Sequence, residues 1–335
     1  MLKRSVLTPL ALMAALASGW APQAMAAAAQ RTFVASTGND VNACTLALPC
    51  RSFGVAIAQT LAGGEVIVLD SAGYGPATIS QPVSIIAPPG IYAGVSVFSG
   101  TGLTVSAGAG KVTLRGLSIN SLNAAATVGI SFLSGTALYL DNLTITNFPT
   151  AGISASVAAS SGLFLTNSSI HDNGKGAALG ASSGILTVSI ESTLFARNGT
   201  GAAFGDGTAG TVHASTFSGG TTGVSVAPPT PAKTASIEVR DCTISDNSGT
   251  GVTATQTGAG LPLTLVSVVS SQVSGNAIGV QVTGVNSSAY VSDSTITRNA
   301  TGVSPVSSGT IVSGGDNRLV NNTSNGAFSS TVIKI

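Results

Sequence analysis

Charge is what this chain has least of. Of its 335 residues only 7% are Asp, Glu, Lys or Arg, against a usual ~25%. The formal net charge is +1 and no basic run occurs, which argues against an electrostatic partner such as nucleic acid. Aromatic residues are also scarce, at 4%, although 44% of residues are hydrophobic. The apolar content is therefore mostly Ala, Val, Leu and Ile. Disorder driven by charge is excluded, because net charge is low and hydrophobicity is not. Long apolar runs are missing as well: beyond the first 30 residues none approaches the ~18 needed to span a bilayer. What the chain has instead is Gly, 42 residues of it, with Ser, Thr and Ala throughout, a profile of tight turns and close stacking.

The first 26 residues read as a separate segment. Lys3 and Arg4 precede an apolar stretch from Val6 to about Ala17, and Ala24-Met25-Ala26 forms a small-x-small cleavage site. This is the pattern of a secretory signal peptide, and a lone membrane anchor fits less well because Pro9, Ser18 and Gly19 interrupt the apolar core. Its removal leaves 11 basic and 12 acidic residues, a formal charge of −1. The expected location is secreted, periplasmic or at the cell surface. There are three cysteines. Cys44 and Cys50 flank Leu48-Pro49 in a chain bound for an oxidising compartment, so a local disulfide is expected. Metal binding by that pair lacks the further ligands it would need. Cys242 is expected to be a buried, unreactive thiol.

Self-similarity decides the architecture. Ser169-Ile170-His171-Asp172-Asn173 followed by Gly176-Ala177 recurs as Thr243-Ile244-Ser245-Asp246-Asn247 with Gly251-Val252, and as Thr295-Ile296-Thr297-Arg298-Asn299 with Gly302-Val303. Degenerate copies anchor units at Ile119, Ile145, Ile170, Phe195, Phe217, Ile244, Val273, Ile296 and Leu319, in steps of 22 to 29 residues with a mean of 25. Within a unit the apolar residues alternate with period two, which predicts strands. With the anchor as position zero, inward pairs are expected at −7 and −5 (Leu138 with Leu140), at −2 and 0 (Leu143 with Ile145), and at +7 and +9 (Val224 with Val226). Three strands and three turns in ~25 residues make one coil of a parallel β-helix, with about 10 to 11 coils in all.

The corners fit. Position −3 holds Asn142, Asn167, Ser192, Asp241, Ser270, Asp293 and Asp316, short polar residues that tolerate a left-handed backbone. Asn173, Asn198, Asn247, Asn276, Asn299 and Asn322 occupy equivalent places after the second strand and are expected to stack as an amide ladder. Residues 27–64 differ in texture and read as an N-terminal cap: a strand at Thr32-Phe33-Val34-Ala35, then Ser52 capping a helix through Leu61, whose Phe53, Ile57 and Leu61 form an apolar stripe over the open end of the stack. The β-helix then runs over 65–335, ending in a strand at Thr331–Ile335.

Gly64-Glu65-Val66-Ile67-Val68-Leu69 with Gly73-Tyr74-Gly75, followed by the repeated Asn-x-x-Gly-aliphatic coils, resembles the right-handed parallel β-helix proteins of the pectate-lyase-like superfamily over about residues 31–330. The resemblance implies an all-β, right-handed solenoid. The superfamily includes pectate lyases, polygalacturonases, epimerases and adhesin passengers, so it does not choose an activity. Its enzymes work on one long sheet face. Here that face is expected at the strand near +7, with outward residues Ser131, Ser154, Ala178, Ala203, Ser225, Thr253, Gln281 and Ser304, none of which ionises at neutral pH. A lyase of this kind needs a base and usually carboxylates for calcium, and a polygalacturonase needs clustered Asp. The chain has no Asp-Asp pair, no Gly-His-Gly and no Arg-x-Pro-x-x-Arg.

Two functional readings follow. The first is a non-catalytic exported β-helix in contact with extracellular or cell-surface polysaccharide, using Lys175, Asp206, Ser225, Thr253 and Gln281 along the ledge and needing no cofactor. The second is a polysaccharide lyase or hydrolase acting on acidic glycans, with His171, Asp172 and Arg197 as its acid–base groups and calcium as the cofactor of a lyase. In the second reading Lys175, and Asp206 by reach, border the same edge as the His171–Asp172 pair. The plainer role for Asp172 and Arg197 is a solvated ion pair. Position −4 carries a row of alternating charge, Arg115, Asp141, Glu191, His213 and Arg240, as expected where stacked like charges repel.

Overall fold

The computed structural model describes residues 28–228, 233–256, 258 and 260–332. The segment read as a signal peptide and the final residues 333–335 lie outside them. Period-two alternation does produce strands, and because the repeats are in phase the strands pair in parallel with the same phrase one coil on. They gather into three parallel sheets of 13, 11 and 10 strands, here called A, B and C in the order the chain visits them in each coil. Residues Leu138 and Leu140 lie in sheet A, Ile145 in sheet B, and Ile130 and Phe132 in sheet C. The anchor column is continuous, Ile119 pairing with Ile145, then Ile170, Phe195, Phe217, Ile244, Val273, Ile296 and Leu319. Ile119, Ile170, Ile244 and Ile296 are each 0% exposed. The bore adjusts its volume locally. Where the inward residues shrink to Ala202 and Gly210, the rings of Phe195 and Phe217 stack with centroids 4.7 Å apart.

Two ladders run inside the corners. Asn173 Oδ1 accepts from the Phe148 N–H at 2.9 Å, and Asn198 Oδ1 accepts from both the Asn173 N–H and its Nδ2, at 3.0 and 3.1 Å. The same pattern links Asn247, Asn276, Asn299 and Asn322. The expected amide ladder is therefore present, divided where Gly220 replaces Asn. The inward pair expected at −2 and 0 is buried as read, with Leu117, Leu143 and Cys242 apolar at −2, but most other coils carry a polar side chain there. Position −2 holds Ser168, Thr193, Ser215, Ser271 and Ser294, all buried, and they build a second, hydroxyl ladder. Ser271 Oγ accepts from the Cys242 N–H at 3.1 Å and donates to the Val269 carbonyl at 2.8 Å, and Ser168 and Ser294 repeat the arrangement. Each hydroxyl satisfies a backbone N–H that the tight corner leaves without a sheet partner. Cys242 sits in this column, 2% exposed, and burial pushes its thiol pKa up to about 11, as expected for an unreactive thiol.

The corner at −3 is left-handed at Asn142, Asn167, Ser192, Asp241, Ser270 and Asp293, with φ between 48° and 54°. Asp316 departs from this: Gly315 takes the positive φ there, at 82°. Ala214 occupies the corner in the Phe217 coil with φ 47°, a conformation that costs an L residue without a hydrogen-bonding side chain roughly 1–2 kcal/mol.

The N-terminal segment contributes a strand to the stack itself. Strand β1 (Ala29–Val34) pairs in parallel with β2 (Thr60–Val68), the first coil's strand in sheet A. Between them Cys44 and Cys50 form the expected disulfide, and helix α1 (Phe53–Gln59) starts at Ser52, whose hydroxyl accepts from the Val55 N–H. The helix stops at Gln59, two residues earlier than the stripe predicted. Leu61 lies in β2 and is 41% exposed, while Phe53, Ala56 and Ile57 are the helix residues buried over the bore. Thr60 ends the helix because its Oγ1 donates to the Ala56 carbonyl at 2.7 Å while its backbone is already extended. At the other end Ser330–Thr331 is a short strand of sheet A. No helix among the described residues is long and apolar enough to cross a membrane.

Two stability measurements check these assignments. Asn276→Leu strands the Asn247 N–H and the Ile244 carbonyl in the interior, and it should lower stability to urea by about 3 kcal/mol, at ~1–3 per buried orphan. The same change at half-buried Asn322 should cost less, because water can replace the amide there. Ala214→Gly should raise stability by about 1 kcal/mol by relieving the left-handed corner.

Candidate functional site

The outward face of sheet C was expected to carry the site, and its register is as read. Ser131, Ser154, Ala178, Ala203, Ser225, Thr253, Gln281 and Ser304 pair successively in one column. All are half-buried, with short side chains standing on a flat sheet. Where the column shrinks to Ala178 and Ala203, with Gly180 beside them, the face sinks into a trough of about 420 Å³. Ser154, Ser156, Ser182 and Ser225 supply its hydroxyls, and Lys175 and Asp206 line it as well. Lys175 opens the strand Lys175–Ala181, whereas Asp206 follows the end of Thr200–Phe204. They therefore stand at opposite edges of the sheet, which corrects the expectation that Asp206 reaches the edge of the His171–Asp172 pair. Thr253 and Gln281 continue the column past the end of the trough, and Thr253 Oγ1 lies 3.4 Å from Thr255 Oγ1.

His171, Asp172 and Arg197 come together at the corner between sheets B and C, outside the trough lining. Arg197 Nε and Nη2 donate to the two oxygens of Asp172 at 2.8 and 2.7 Å, and His171 Nδ1 lies 2.7 Å from Asp172 Oδ2. Both Asp172 and Arg197 have left-handed backbones, φ 59° and 52°, so equivalent corners in adjacent coils aim the two side chains at each other. The Arg197 guanidinium holds the Asp172 carboxyl down at about 2, with the His171 contact adding to it. A carboxylate so fixed in its charged form is poorly matched to moving protons near neutral pH. The arrangement is that of the solvated ion pair, with His171 as a third member.

The charged row at −4 is also in register. Asp141 pairs with Arg115, and Glu191, His213 and Arg240 follow one another. Arg115 Nε donates to Asp141 at 2.7 Å, and His213 lies between Glu191 at 3.6 Å and Asp241 at 3.2 Å. Among the described residues no group of three His, Cys, Asp or Glu side chains gathers as a metal site would require. Sequence reasoning missed the trough. Its signal was present, since Ala178 and Ala203 are the two residues of the outward column without a polar side chain. On the outer face of sheet A, Tyr139 and Phe164 stack, centroids 4.9 Å apart and rings within 12° of parallel.

A three-sheet parallel solenoid with internal amide and hydroxyl ladders and a small-residue trough on one face defines a class of β-helix proteins. The chain belongs to the right-handed β-helix family, whose model, described as a right handed beta helix region, matches residues 101–268. Among solved structures it is similar to an alginate lyase from Paenibacillus sp. str. FPU-7, with 14% identity, a TM-score of 0.58, and 83% of this chain and 98% of that chain covered. Pectate lyase Pel9A aligns with 15% identity and a TM-score of 0.46 over 92% of this chain and 80% of that one. A GH136 lacto-N-biosidase from Eubacterium ramulus aligns with 10% identity and a TM-score of 0.44 over 90% and 66%. Among curated proteins no relative matches. At these identities the likeness is one of fold.

The corner cluster makes its own prediction. Because the folded pKa of Asp172 lies below the unfolded ~3.9, its ion pair contributes fully at neutral pH and loses its contribution as pH falls from about 4 to about 2. Thermal unfolding of the parent chain and Asp172→Asn should therefore differ most above about pH 5, with the difference shrinking as pH falls and lost only below about pH 2. The Asn replacement keeps the left-handed corner.

Proposed function

We propose that this chain is an exported, non-catalytic β-helix that holds polysaccharide against the trough on sheet C. The observation that carries the reading is the outward column itself. It carries a hydroxyl or amide on every coil but two, at ~4.8 Å per coil, sinks at those two between Ser154 and Ser225, and contains no ionisable side chain. Hydroxyl and amide groups so spaced can donate to and accept from sugar hydroxyls, and the two charges of the trough, Lys175 and Asp206, stand at its edges where either can meet a polar substituent. Ser225 belongs to the trough, and Thr253 and Gln281 extend the contact beyond it. The alginate lyase acts, by its name, on a polysaccharide, which agrees with a glycan partner. The arrangement of the candidate acid–base groups supports a binding role. The groups that a lyase or hydrolase would need, His171, Asp172 and Arg197, are spent on one another at a corner beside the trough. The binding role requires no cofactor, whereas calcium would enter only with lyase chemistry.

The test combines binding and turnover on the exported chain. A glycan array and a pull-down on alginate and pectate should show binding without depolymerisation, with or without added calcium. Ala203→Trp fills the trough and should weaken binding at least tenfold, whereas Ser304→Trp, at the far end of the column, should leave it unchanged. Depolymerisation abolished by His171→Ala or by Asp172→Asn would replace this reading with the enzymatic one.

A further inference from the structure

The outer face of sheet A is a second surface with its own chemistry. Its central outward row sits six residues before each anchor, and the register can be followed through seven coils: Tyr139, Phe164, Ser189, Thr211, Glu238, Ser267 and Tyr290. Aromatic residues are rare in this chain, and the largest fully buried side chains include most of its Phe. Yet Tyr139 and Tyr290 are 38% and 37% exposed on this one line. Each station is fitted to the surface by a glycine. The ring of Phe164 leans over Gly162, where a Cβ would lie 2.6 Å from its Cε2, and the Tyr290 hydroxyl leans over Gly314, where a Cβ would lie 2.9 Å away. The neighbours in register on either side of the stacked pair, Thr113 and Ser189, are small.

We infer that this row binds an extended, uncharged glycan chain lying along the solenoid axis, gripped at one end by Tyr139 and Phe164 and at the other by Tyr290. Phe164 and Tyr290 are five coils apart in register, about 24 Å at ~4.8 Å per coil. A glycan that touches both stations must cross these five coils, whereas a short one can reach only one of them. The apolar faces of sugar rings pack on the aromatic stations. Between them Ser189, Thr211 and Ser267 offer a hydroxyl on three of the four coils. Charge complementarity favours an uncharged ligand. The row's single ionisable side chain between the stations is Glu238, and Arg240 answers it with a 2.7 Å contact. No free cation of the row awaits a carboxylate, in contrast to Lys175 on sheet C. This surface is separate from the trough and does not depend on it.

Chain length is the measurable signature. Cello-, manno- and xylo-oligosaccharides of three and six residues are titrated by calorimetry into the exported chain and into Tyr139→Ala, Tyr290→Ala and Ala203→Trp, each checked for its unfolding midpoint. At least one hexasaccharide should bind ten times or more tighter than its trisaccharide. Either Tyr variant should collapse that ratio to within about twofold, and Ala203→Trp should leave it intact. A length dependence untouched by both Tyr variants, or no binding of any of these neutral oligosaccharides, overturns the inference. If binding survives only for alginate or pectate and is lost in Ala203→Trp, the trough stands and this second surface falls. If the Tyr-dependent length effect appears while alginate and pectate fail to bind, the trough reading falls and this one stands.

Discussion

In a stack whose layers lie ~4.8 Å apart, every side chain meets its counterpart from the next layer, and this forced self-encounter governs the rest of the molecule. A charge repeated at one position would face a like charge a strand away, which is destabilising. The chain meets this by carrying little charge at all, 7%, and by alternating sign where it does, as from Arg115 to Asp141 and from Glu191 to His213. Side chains that gain from meeting themselves are used instead: aliphatics in the bore, amides and hydroxyls in the corners, and hydroxyls on the ledge. The composition is thus a consequence of the geometry.

The same encounter explains why so many polar groups are buried without penalty. Tight corners leave backbone N–H and C=O groups without sheet partners, and a hydrophobic corner would orphan them. Asn supplies both a donor and an acceptor and so bridges a layer in each direction. Ser supplies an acceptor to the coil before it and a donor to its own chain two residues back. The two ladders flank sheet B, whose strands are only three residues long over most of the stack. That sheet is held less by its own short strand ladders than by the side chains at both of its ends.

The fold was legible because it is periodic. The anchors, the three inward alternations and the left-handed Asn and Asp corners all recur, and each recurrence confirmed the phase of the others. What the repeat did not reveal was whatever breaks or reinterprets it. Period two places Ser at −2 on the inward face, and only the corner's unmet N–H groups show why a hydroxyl serves better there than a methyl. Leu61 matched a helical stripe by spacing, but the extended backbone of Thr60 ends the helix first. Asp206 lies about one coil along the chain from Asp172, and distance along the chain gives no hint that it falls on the opposite edge of the sheet. Of the proposed site, the register of its column was legible. The trough was not, because it is made by side chains that are absent, at Ala178, Ala203 and Gly180.

The Phe217 coil is the least regular in the stack. It turns at Ala214, lacks a large inward residue at Gly210, and puts Gly220 where its neighbours place an amide. Stability in such an array is a sum of layers and of the joints between them, and this joint lacks a rung of the amide ladder. All three sheets and the Phe195–Phe217 stack continue across it, so the joint is one rung short rather than broken, and the ledge on sheet C spans it as a splint.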